Sequence, residues 1–511
     1  MTGRQRASFR EGMCFAALGL GSMVVLGIVS SVIVARIYGV EAIGEYALVL
    51  APSGALATLS SVREQAGLVR ELSVLEARTP RVTGLFIAVL AFSVGLTLFV
   101  AALVAGITYL LLAGPVGRPG LFAPALALVI SFVVIQNTCW NLDMVFSSFR
   151  GGRQLFWIRL MQALSFTALA VGVGLVWATV WGLVLATIGS FLTALIHRLV
   201  CVGGFMTASV SRVDIRNGFR TLPELIRFGL KIAPGSVADG IGKEAATWVL
   251  GALVPIAAVG AYNRAWMLAR RLIDQSSQVT EMLFPTLVRR RSGDQEAFDR
   301  ALVDSMRYAA VAMLLPAAVG GGAAHAVMDV FGPGFSVAAG ALAFLLILPA
   351  VAILAAILGI ALYSLDRPLT TALLTIVRTA VVIGLTVGLT LLLGLTGAAA
   401  AIVAGYVIEL ALLAWVMRGH LERPLHRQWG GRQLVATVLA YVVGFGFARV
   451  VDVQVSGVTG LVAALGGGSM VYAAAFLVAG GMKTRDWERA APVLARVFGR
   501  RWRFAHASSS P

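Results

Sequence analysis

The sequence predicts an all-α integral membrane protein with about 14 transmembrane helices. Hydrophobic residues make up 59% of the 511 residues, charged residues make up only 13%, and the mean hydropathy is +0.89. Since about a quarter of the residues of a soluble chain are charged, this composition indicates a lipid environment. The alternating pattern of a membrane β-barrel strand is absent from the sequence.

Apolar stretches follow one another along almost the whole chain. Each is about as long as the roughly 20 residues that a helix needs to cross a hydrocarbon core. The predicted spans are 14–36, 43–62, 83–113, 121–147, 155–176, 180–202, 228–253, 257–284, 306–328, 338–363, 369–394, 397–417, 433–451 and 459–481. The first is too long for the core of a cleaved signal peptide, so we expect it to stay in the membrane.

Membrane topology explains the net charge of +17 better than nucleic-acid binding does. Lys and Arg collect in cytoplasmic loops because they resist translocation and because the inner leaflet is anionic. We assign alternate loops to the cytoplasm, starting with the N-terminal segment. The loops that remain on the outside then contain few basic residues beyond Arg36, Arg118 and Arg449. This split predicts an even number of spans with both termini in the cytoplasm, and no nucleic-acid partner.

The chain is predicted to contain two similar halves and an additional pair of spans. Gly44 and Tyr46 align with Gly260 and Tyr262 at an offset of 216 residues (260 − 44 and 262 − 46). Internal repeats are typical of transporters whose substrate site lies between the repeats. The predicted domains are an N-terminal six-helix bundle at 1–205, a C-terminal six-helix bundle at 206–423, an extra helix pair at 424–483 and a basic cytoplasmic tail at 484–511.

Two segments between and within the halves have distinctive patterns. Arginines at four-residue spacing over 212–220 predict an amphipathic helix on the inner membrane surface. Pro234, Gly235, Gly240 and Gly242 weaken the seventh span, and broken helices are typical of transport sites and hinges. A kinked helix with a purely structural role is the alternative.

Motifs of the common enzyme classes are missing from the sequence. It contains no G-x-x-x-x-G-K-[ST] phosphate loop, no external G-x-S-x-G and no His/Cys group with metal-ligand spacing. Cys14, Cys139 and Cys201 lie in or at the ends of apolar spans and are interpreted as packing residues. We therefore expect neither an enzyme nor a cofactor or metal site.

Ionisable groups inside the apolar spans are the informative residues. Each costs roughly 2.5–3.5 kcal/mol on insertion scales, so it needs a partner or a wet cavity. Arg264 and Arg271 share one helix face with Gln275 and Gln278, and few acids lie near them in the sequence. A guanidinium group binds phosphate oxygens in a bidentate manner, so these arginines are candidates for binding an anionic substrate.

Other charges in the spans have candidate partners. Asp239 and Lys243 are four residues apart and are expected either to neutralise each other or to serve the substrate and its coupling. Asp143 and Arg159 lie at similar depth in adjacent antiparallel spans, which predicts a structural pair. Glu244 is assigned to the same class of coupling or structural residues.

Several segments, in this order and spacing, resemble the polysaccharide flippases of the multidrug/oligosaccharidyl-lipid/polysaccharide exporter superfamily. They are Ala35-Arg36-Ile37-Tyr38-Gly39, Gly44-Glu45-Tyr46-Ala47, Leu225-Ile226-Arg227-Phe228-Gly229-Leu230, Val259-Gly260-Ala261-Tyr262 and Phe331-Gly332-Pro333-Gly334-Phe335. The resemblance covers about residue 8 to about residue 420. It implies two six-helix bundles that face each other in a V around a central cavity, and translocation of polyprenyl-linked sugars between the leaflets.

The lipid II flippases of that superfamily offer a closer comparison at three positions. Arg36, Arg63 and Arg264 are similar to arginines that line the cavity of those proteins and bind the anionic headgroup. Residues 59–62 differ from the Pro-Asn pair of that branch, which favours the broader polysaccharide group. The candidate substrate-binding residues are Arg36, Arg63, Asn137, Asn141, Lys243, Arg264, Arg271, Gln275 and Gln278.

The residues and the resemblance together predict a flippase for a polyprenyl-pyrophosphate-linked oligosaccharide. It would work by alternating access in the bacterial cytoplasmic membrane, and membrane lipids, a glycan polymerase and glycosyltransferases are the partners that this function suggests. A drug-cation antiporter of the same fold would need uncompensated acids. A membrane-embedded glycan polymerase would need a sizeable external loop, and a structural scaffold would leave the buried arginines unexplained.

Overall fold

The structure, a computed structural model, describes residues 9–60, 64–72, 75–149, 151–207, 209–230, 233–291, 295–365, 367–422 and 429–482. Within these ranges the description does not extend to the side chains of residues 9–24 and 275–282, among others. All regular secondary structure of the described ranges is helical, as the sequence predicts.

Helices α1 to α7 build the N-terminal bundle. They are α1 (Phe9–Leu59), α2 (Glu64–Leu72), α3 (Pro80–Ala113), α4 (Phe122–Ser131), α5 (Asn137–Ser148), α6 (Gly152–Gly174) and α7 (Val180–Val202). A 3-10 turn at Pro119–Leu121 precedes α4, and a π-helical segment at Phe132–Gln136 joins α4 to α5. These pieces therefore form one continuous crossing.

Helix α8 lies between the halves, helices α9 to α15 build the C-terminal bundle, and α16 and α17 form the additional pair. They are α8 (Arg212–Leu230), α9 (Ala233–Leu253), α10 (Ile256–Arg291), α11 (Gln295–Gly322), α12 (Ala324–Asp329), α13 (Ala339–Leu345), α14 (Leu348–Ser364), α15 (Pro368–Met417), α16 (Gly431–Gln454) and α17 (Gly457–Val478). The pair packs on itself and on α11. The exact domain boundaries given above remain predictions.

Two helices are long enough for two crossings each. At a rise of about 1.5 Å per residue, α1 and α15 would each extend roughly 75 Å, more than twice the thickness of a hydrocarbon core. Each is interrupted at a glycine with positive φ, Gly39 at 74° and Gly394 at 59°. Because glycine has no Cβ it adopts this backbone without strain, so each glycine marks the junction between two predicted spans.

Ten helical segments of the described residues have the length and hydropathy of a membrane crossing. Helices α9 and α10 are not among them because they carry several charged residues. Together with the second crossings of α1 and α15, these two helices complete the 14 spans that the sequence predicts. The all-α membrane fold class is therefore confirmed.

The outward faces of the bundles are apolar. Phe99, Val176 and Val478 are examples, with exposed fractions of 77%, 91% and 87%. Water would be a poor solvent for so much exposed apolar surface, whereas the acyl chains of a bilayer cover it at no cost. The exposed surface therefore agrees with the membrane placement that the sequence predicts.

Helix α8 is the amphipathic helix predicted between the halves. Its arginines, such as Arg212 and Arg216, are exposed, while Leu222 and Leu225 are buried. The Ser211 backbone N–H and hydroxyl donate hydrogen bonds of 3.0 and 2.6 Å to the Asp214 carboxylate. The Asp214 backbone N–H donates in return to the Ser211 hydroxyl, which completes a helix capping box. These bonds from Ser211 lower the pKa of Asp214.

The contacts between connecting segments distinguish two ends of the molecule. At the end that holds Gly39, the Tyr38 side chain touches Gly174 and Gly182, and Arg118 bonds to Glu45 at 3.4 Å. We call this the Gly39 end. At the opposite end, α8 packs against α3 and α2, and we call this the α8 end.

Candidate functional site

The two bundles touch each other at the Gly39 end through two glycines. A Cβ at Gly44 would overlap the carbonyl oxygen of Ile256, and a Cβ at Gly260 would overlap that of Val40. Glycine is required at both positions because the partner atoms belong to the backbone and cannot rotate away. The close approach of α1 and α10 therefore closes this end of the junction between the halves.

A cavity of about 430 Å³ lies between the bundles, on the α8 side of this contact. It is lined by α1, α2, the α4–α5 crossing and α7 from the N-terminal bundle, and by α9 and α10 from the C-terminal bundle. The charged lining residues are Asp239, Lys243 and Glu244 of α9 and Arg270 of α10. The junction of the halves, where the sequence predicts the substrate site, therefore holds a polar cavity.

The charges of the cavity are paired. The Lys243 ammonium group lies 2.7 Å from Asp239, one helical turn away, in the ion pair that is one of the two alternatives given by the sequence. Arg270 donates a hydrogen bond of 3.4 Å to Glu244 across the α9–α10 contact. The cavity wall thus carries equal numbers of acids and bases.

A buried charge cluster connects α9 to both crossings of α15. The Arg378 guanidinium group donates to Asp239 at 2.6 Å and to Glu409 at 2.9 Å. The Thr375 hydroxyl also donates to Glu409, at 2.8 Å, and the ring of Tyr406 lies 4.2 Å below the guanidinium carbon. Asp239, unlike Glu244, therefore contacts two bases at once.

Arg264 lies at the junction of the bundles but on a different face of α10 from the cavity. It is 7% exposed, and its guanidinium group donates one hydrogen bond, of 2.8 Å, to the Ser31 hydroxyl of α1. Its Nε is buried without a hydrogen-bond partner. Its electrostatic neighbours are Tyr46 and the like-charged Arg271, and it contacts no acid among the described residues.

Arg271 extends towards the same part of α1. A Cβ at Gly27 would overlap its guanidinium group, and one of its terminal nitrogens is buried without a partner. Asp274, one turn later on α10, interacts with it electrostatically. Arg264 and Arg271, the described arginines of the polar face that the sequence predicts on the eighth span, therefore contact α1, although the cavity opens beside the neighbouring face.

Arg36 does not join this group. Its side chain is exposed at the Gly39 end, and its Nε donates a hydrogen bond of 2.9 Å to the carbonyl of Val330. Since five residues turn a helix by about 500°, Arg36 and Ser31 project from different faces of α1. The prediction that Arg36 faces Arg264 across a cavity is wrong in this structure, which places Arg36 in a bridge between the bundles.

Asn137 and Asn141 are part of an internal network rather than of the cavity wall. Asn137 accepts a hydrogen bond from the Ser93 hydroxyl at 3.0 Å and donates one to Thr97 at 3.1 Å. Asn141 donates to the Ser93 hydroxyl at 3.2 Å. Both side chains are buried between α5 and α3, so the structure does not place them where a sugar would bind, and Gln136 lines the cavity instead.

The predicted pair of Asp143 and Arg159 is absent. Asp143 accepts two hydrogen bonds from Arg198 of α7, at 2.8 and 3.0 Å, and both residues are buried. Arg159 is exposed on the outer face of α6. The packing of α5 on α7 therefore decides the partner of Asp143. The depth of the residues in the membrane did not by itself identify Arg198 as this partner.

Three predicted residues lie outside the described part of the chain. Arg63 is not described at all, and the side chains of Gln275 and Gln278 are not described. Among the residues that are described, no group of three His, Cys, Asp or Glu side chains could hold a metal ion.

Sequence reasoning missed the aromatic and amide groups of the cavity. Trp140, Trp266, Phe132 and Phe191 lie in its wall, and they have polar neighbours in Gln65, Gln136 and Asn263. Residues 132, 136 and 140 recur at four-residue spacing, and residues 263, 266, 267 and 270 follow helical spacing. That periodicity would have indicated one shared face for each set.

Comparisons with known proteins agree with this architecture. The family model described as polysaccharide biosynthesis protein matches residues 33–328. A search of curated proteins finds no match. Among solved structures, the chain is similar to a lipid II flippase, MurJ, in an inward closed conformation, with a TM-score of 0.63 and 11% identity over 95% of this chain and 99% of that one.

The same similarity extends to drug exporters. An inward-facing multidrug resistance MATE family transporter of the MOP superfamily gives a TM-score of 0.57 with 15% identity, over 80% of this chain and 95% of that one. An outward-facing structure of such a transporter gives a TM-score of 0.52 with 14% identity, over 84% and 99%. At these identities the similarity concerns the fold.

The two bundles and the cavity between them give this chain a fold similar to that of flippases and transporters of the MOP superfamily. The chain belongs to the polysaccharide biosynthesis protein family, since the family model covers more than half of its length. The resemblance seen in the sequence is therefore confirmed.

Proposed function

We propose that this protein translocates a polyprenyl-pyrophosphate-linked oligosaccharide across the bacterial cytoplasmic membrane by alternating access. Family membership and fold support a flippase or transporter. The substrate class is our inference from the charges that lie between the bundles. From the same inference we expect the chain to transport its substrate rather than to catalyse a reaction.

The observation that carries the proposal is the environment of Arg264. A buried charge inside a membrane is costly unless it is paired, yet Arg264 contacts only a hydroxyl and no acid within the described part of the chain. Its like-charged neighbour Arg271 increases the local positive potential. An anionic ligand that enters when α10 separates from α1 would neutralise both groups.

Pyrophosphate is the anion that suits this pair. Guanidinium groups donate paired hydrogen bonds to phosphate oxygens and stay charged in an apolar environment. The neighbouring cavity offers Trp140 and Trp266 as flat apolar surfaces for sugar rings, and Gln136 and Asn263 as partners for hydroxyl groups. Lys243 and Arg270 supply further donors to the glycan.

The size of the cavity supports alternating access. A volume of about 430 Å³ is at the small end of the range for drug-sized ligands, so a lipid-linked oligosaccharide requires the bundles to part. The glycine contact keeps the Gly39 end closed in the present state. Opening of one end at a time would expose Arg264 first to one side of the membrane and then to the other.

The arginine distribution supports the α8 end as the cytoplasmic face. The exposed arginines of α8 and Arg153, Arg300 and Arg432 lie at that end, whereas the Gly39 end has Arg36, Arg118 and Arg449. Cytoplasmic segments collect positive charge. The Gly39 end would then be the outer face, where the glycan is released.

The paired acids of the cavity weigh against a drug-cation exporter. A cation site needs an uncompensated carboxylate, but Asp239 contacts Lys243 and Arg378, and Glu244 contacts Arg270. The short connections at the Gly39 end, such as the one between α9 and α10, weigh against a polymerase with a large external loop.

Replacement of Arg264 tests the proposal. Arg264→Ala should abolish glycan export in a complementation assay while the protein remains at its normal abundance in the membrane. Arg264→Lys should be clearly impaired, because an ammonium group keeps the charge but loses the planar fork of donors. Arg159→Ala is the matched control, since Arg159 is an exposed arginine of a membrane span, and it should export normally.

Two outcomes would contradict the proposal. A well-expressed Arg264→Ala/Arg271→Ala double variant that still complements a flippase-deficient strain would exclude a role for these arginines in substrate binding. Loss of abundance in Arg264→Ala, with normal export per molecule, would assign Arg264 to stability instead.

A further inference from the structure

A second cavity lies on the outside of the N-terminal bundle, between α6 and α7. It has a volume of about 430 Å³ and is lined by Arg153, Gln154, Trp157 and Met161 of α6 and by His197 and Cys201 of α7. Five of these residues recur at four-residue spacing, so each helix presents one face to the groove; they are Arg153, Trp157 and Met161 on α6 and His197 and Cys201 on α7. We call it the α6–α7 groove.

The groove is separate from the cavity between the bundles. The two share no lining residue. Helices α6 and α7 pack on each other and on α1 and α5 of the same bundle, and their groove lies on the side of the bundle that faces the surrounding bilayer. A ligand bound there would not occupy the site that we propose for the transported glycan.

The polar groups of the groove are free to bind a ligand. Arg153, Gln154 and His197 make no hydrogen bond or ion pair with any residue in the described part of the chain. No acid lines the groove, so its charge is positive. Arg153 presents several N–H donors, and Gln154 and His197 add further polar groups, which is an arrangement complementary to a phosphate.

The surroundings of the groove are suited to acyl chains. Ile196 and Val200 of α7 and Leu164 of α6 are exposed apolar residues beside it. Trp157 is also exposed, and indole rings are favoured at the boundary between headgroups and hydrocarbon. Arg153 lies in the first turn of α6 at the α8 end, so the charged part of the groove is at the membrane surface and the apolar part is deeper.

We propose that the α6–α7 groove binds an anionic phospholipid of the leaflet at the α8 end. The lipid phosphate bonds to Arg153, with Gln154 and His197 as additional partners, and the acyl chains lie along Ile196 and Leu164. Basic pockets between membrane helices bind anionic headgroups in this way because guanidinium matches phosphate and the chains replace bulk lipid. The site is independent of the substrate that the protein transports.

The binding of phosphatidylglycerol to the purified full-length protein tests this proposal. In nanodiscs, a minor fraction of phosphatidylglycerol in phosphatidylcholine should raise the melting temperature of the wild type, since a ligand that binds only the folded state stabilises it. Native mass spectrometry should show retention of one phosphatidylglycerol. Arg153→Gln should weaken this binding about tenfold, because it removes charge-assisted hydrogen bonds, and His197→Gln should weaken it less.

Arg159→Gln is the matched control. Arg159 is an exposed arginine of the same helix that does not line the groove, so this variant should bind phosphatidylglycerol as the wild type does. Equal losses in Arg153→Gln and Arg159→Gln would show general surface attraction and overturn the proposal. An unchanged affinity in Arg153→Gln, or no thermal shift with phosphatidylglycerol in the wild type, would also overturn it.

Soluble glycerol phosphate separates a lipid site from a simple anion site. In phosphatidylcholine nanodiscs it should give no thermal shift, because it lacks the chains that occupy the apolar part of the groove. If it stabilises the wild type as much as phosphatidylglycerol does, and Arg153→Gln abolishes this effect, the ligand is a free phosphate compound and the lipid assignment is wrong.

Discussion

The bond between Asp143 and Arg198 shows how this protein accommodates charge in its interior. Two parallel hydrogen bonds join the guanidinium group to both carboxylate oxygens, and the Arg198 side chain is only 2% exposed. This fork geometry offsets the cost of removing both charges from water. Loss of either partner would leave the other charge buried alone.

Arg198→Met should therefore destabilise the protein by about 3–5 kcal/mol, the cost of leaving an unpaired buried carboxylate. Thermal unfolding of the purified protein in detergent measures the effect. Asp143→Asn/Arg198→Met should recover much of the loss because it removes the unpaired charge, and Arg159→Met should change little. An unaltered melting temperature in Arg198→Met would mean that the ion pair does not stabilise the fold.

This pair also shows the limit of residue-level prediction. The sequence indicates that Asp143 needs a basic partner, because it lies within an apolar span. It does not show that α6 turns Arg159 outward while α7 turns Arg198 inward. The rotation of a helix about its axis depends on packing with its neighbours. A single sequence therefore gives the depth of a residue in the membrane more reliably than the direction in which its side chain projects.

Among the helices, α9 combines intramembrane charge with closely packed glycines. It is helical from Ala233 to Leu253, so the described residues show no break after Pro234. A Cβ at Gly240 would overlap the Thr58 side chain of α1, and one at Gly242 would lie 3.1 Å from Thr379 of α15. The glycines thus allow close packing of α9, whereas the hinge that the sequence suggested remains a prediction.

Gly240→Ala distinguishes close packing from a hinge. If packing matters, the added methyl group should destabilise the protein by about 1–3 kcal/mol, because it pushes α9 away from α1. Adding Thr58→Gly to this variant should then restore its stability, since the second change removes the overlapping atoms. Melting temperatures in detergent measure both effects.

Gly384→Ala is the control for this comparison. Gly384 is a helical glycine of α15 with no atom within 4 Å of an added Cβ, so its replacement should be neutral or slightly stabilising. A hinge makes a different prediction: Gly240→Ala would slow transport without a change in melting temperature, and Thr58→Gly would not restore it.

The sequence predicts long elements better than short ones. The 14 spans follow from apolar runs that few other structures produce, and a bilayer imposes their length. The short helices α2 and α12 were not predicted, because nine or six residues give too little periodicity. The sequence predicts a cavity between the halves but not its lining residues, since these depend on how helices from two bundles meet.

The whole molecule has the approximate twofold relation that the repeat suggested. Gly44 meets Ile256, and Gly260 meets Val40. The same offset of 216 residues relates both members of these contacts (260 − 44 and 256 − 40). Each bundle therefore supplies the glycine of one contact and the backbone carbonyl of the other. The Gly39 end is closed by this pair of equivalent contacts, as in an isologous interface.

Gly44→Ala and Gly260→Ala should open this end to a similar extent. In both cases the methyl group meets a backbone carbonyl, which cannot move aside as a side chain does, so the bundles must separate. Spin labels at the exposed positions 41 and 253 should show a longer distance in each variant, measured by electron–electron double resonance.

Gly446→Ala, with no atom near the added Cβ, should leave the distance unchanged. A change in only one of the two variants would refute the symmetric role, and a change in neither would show that these glycines do not control closure.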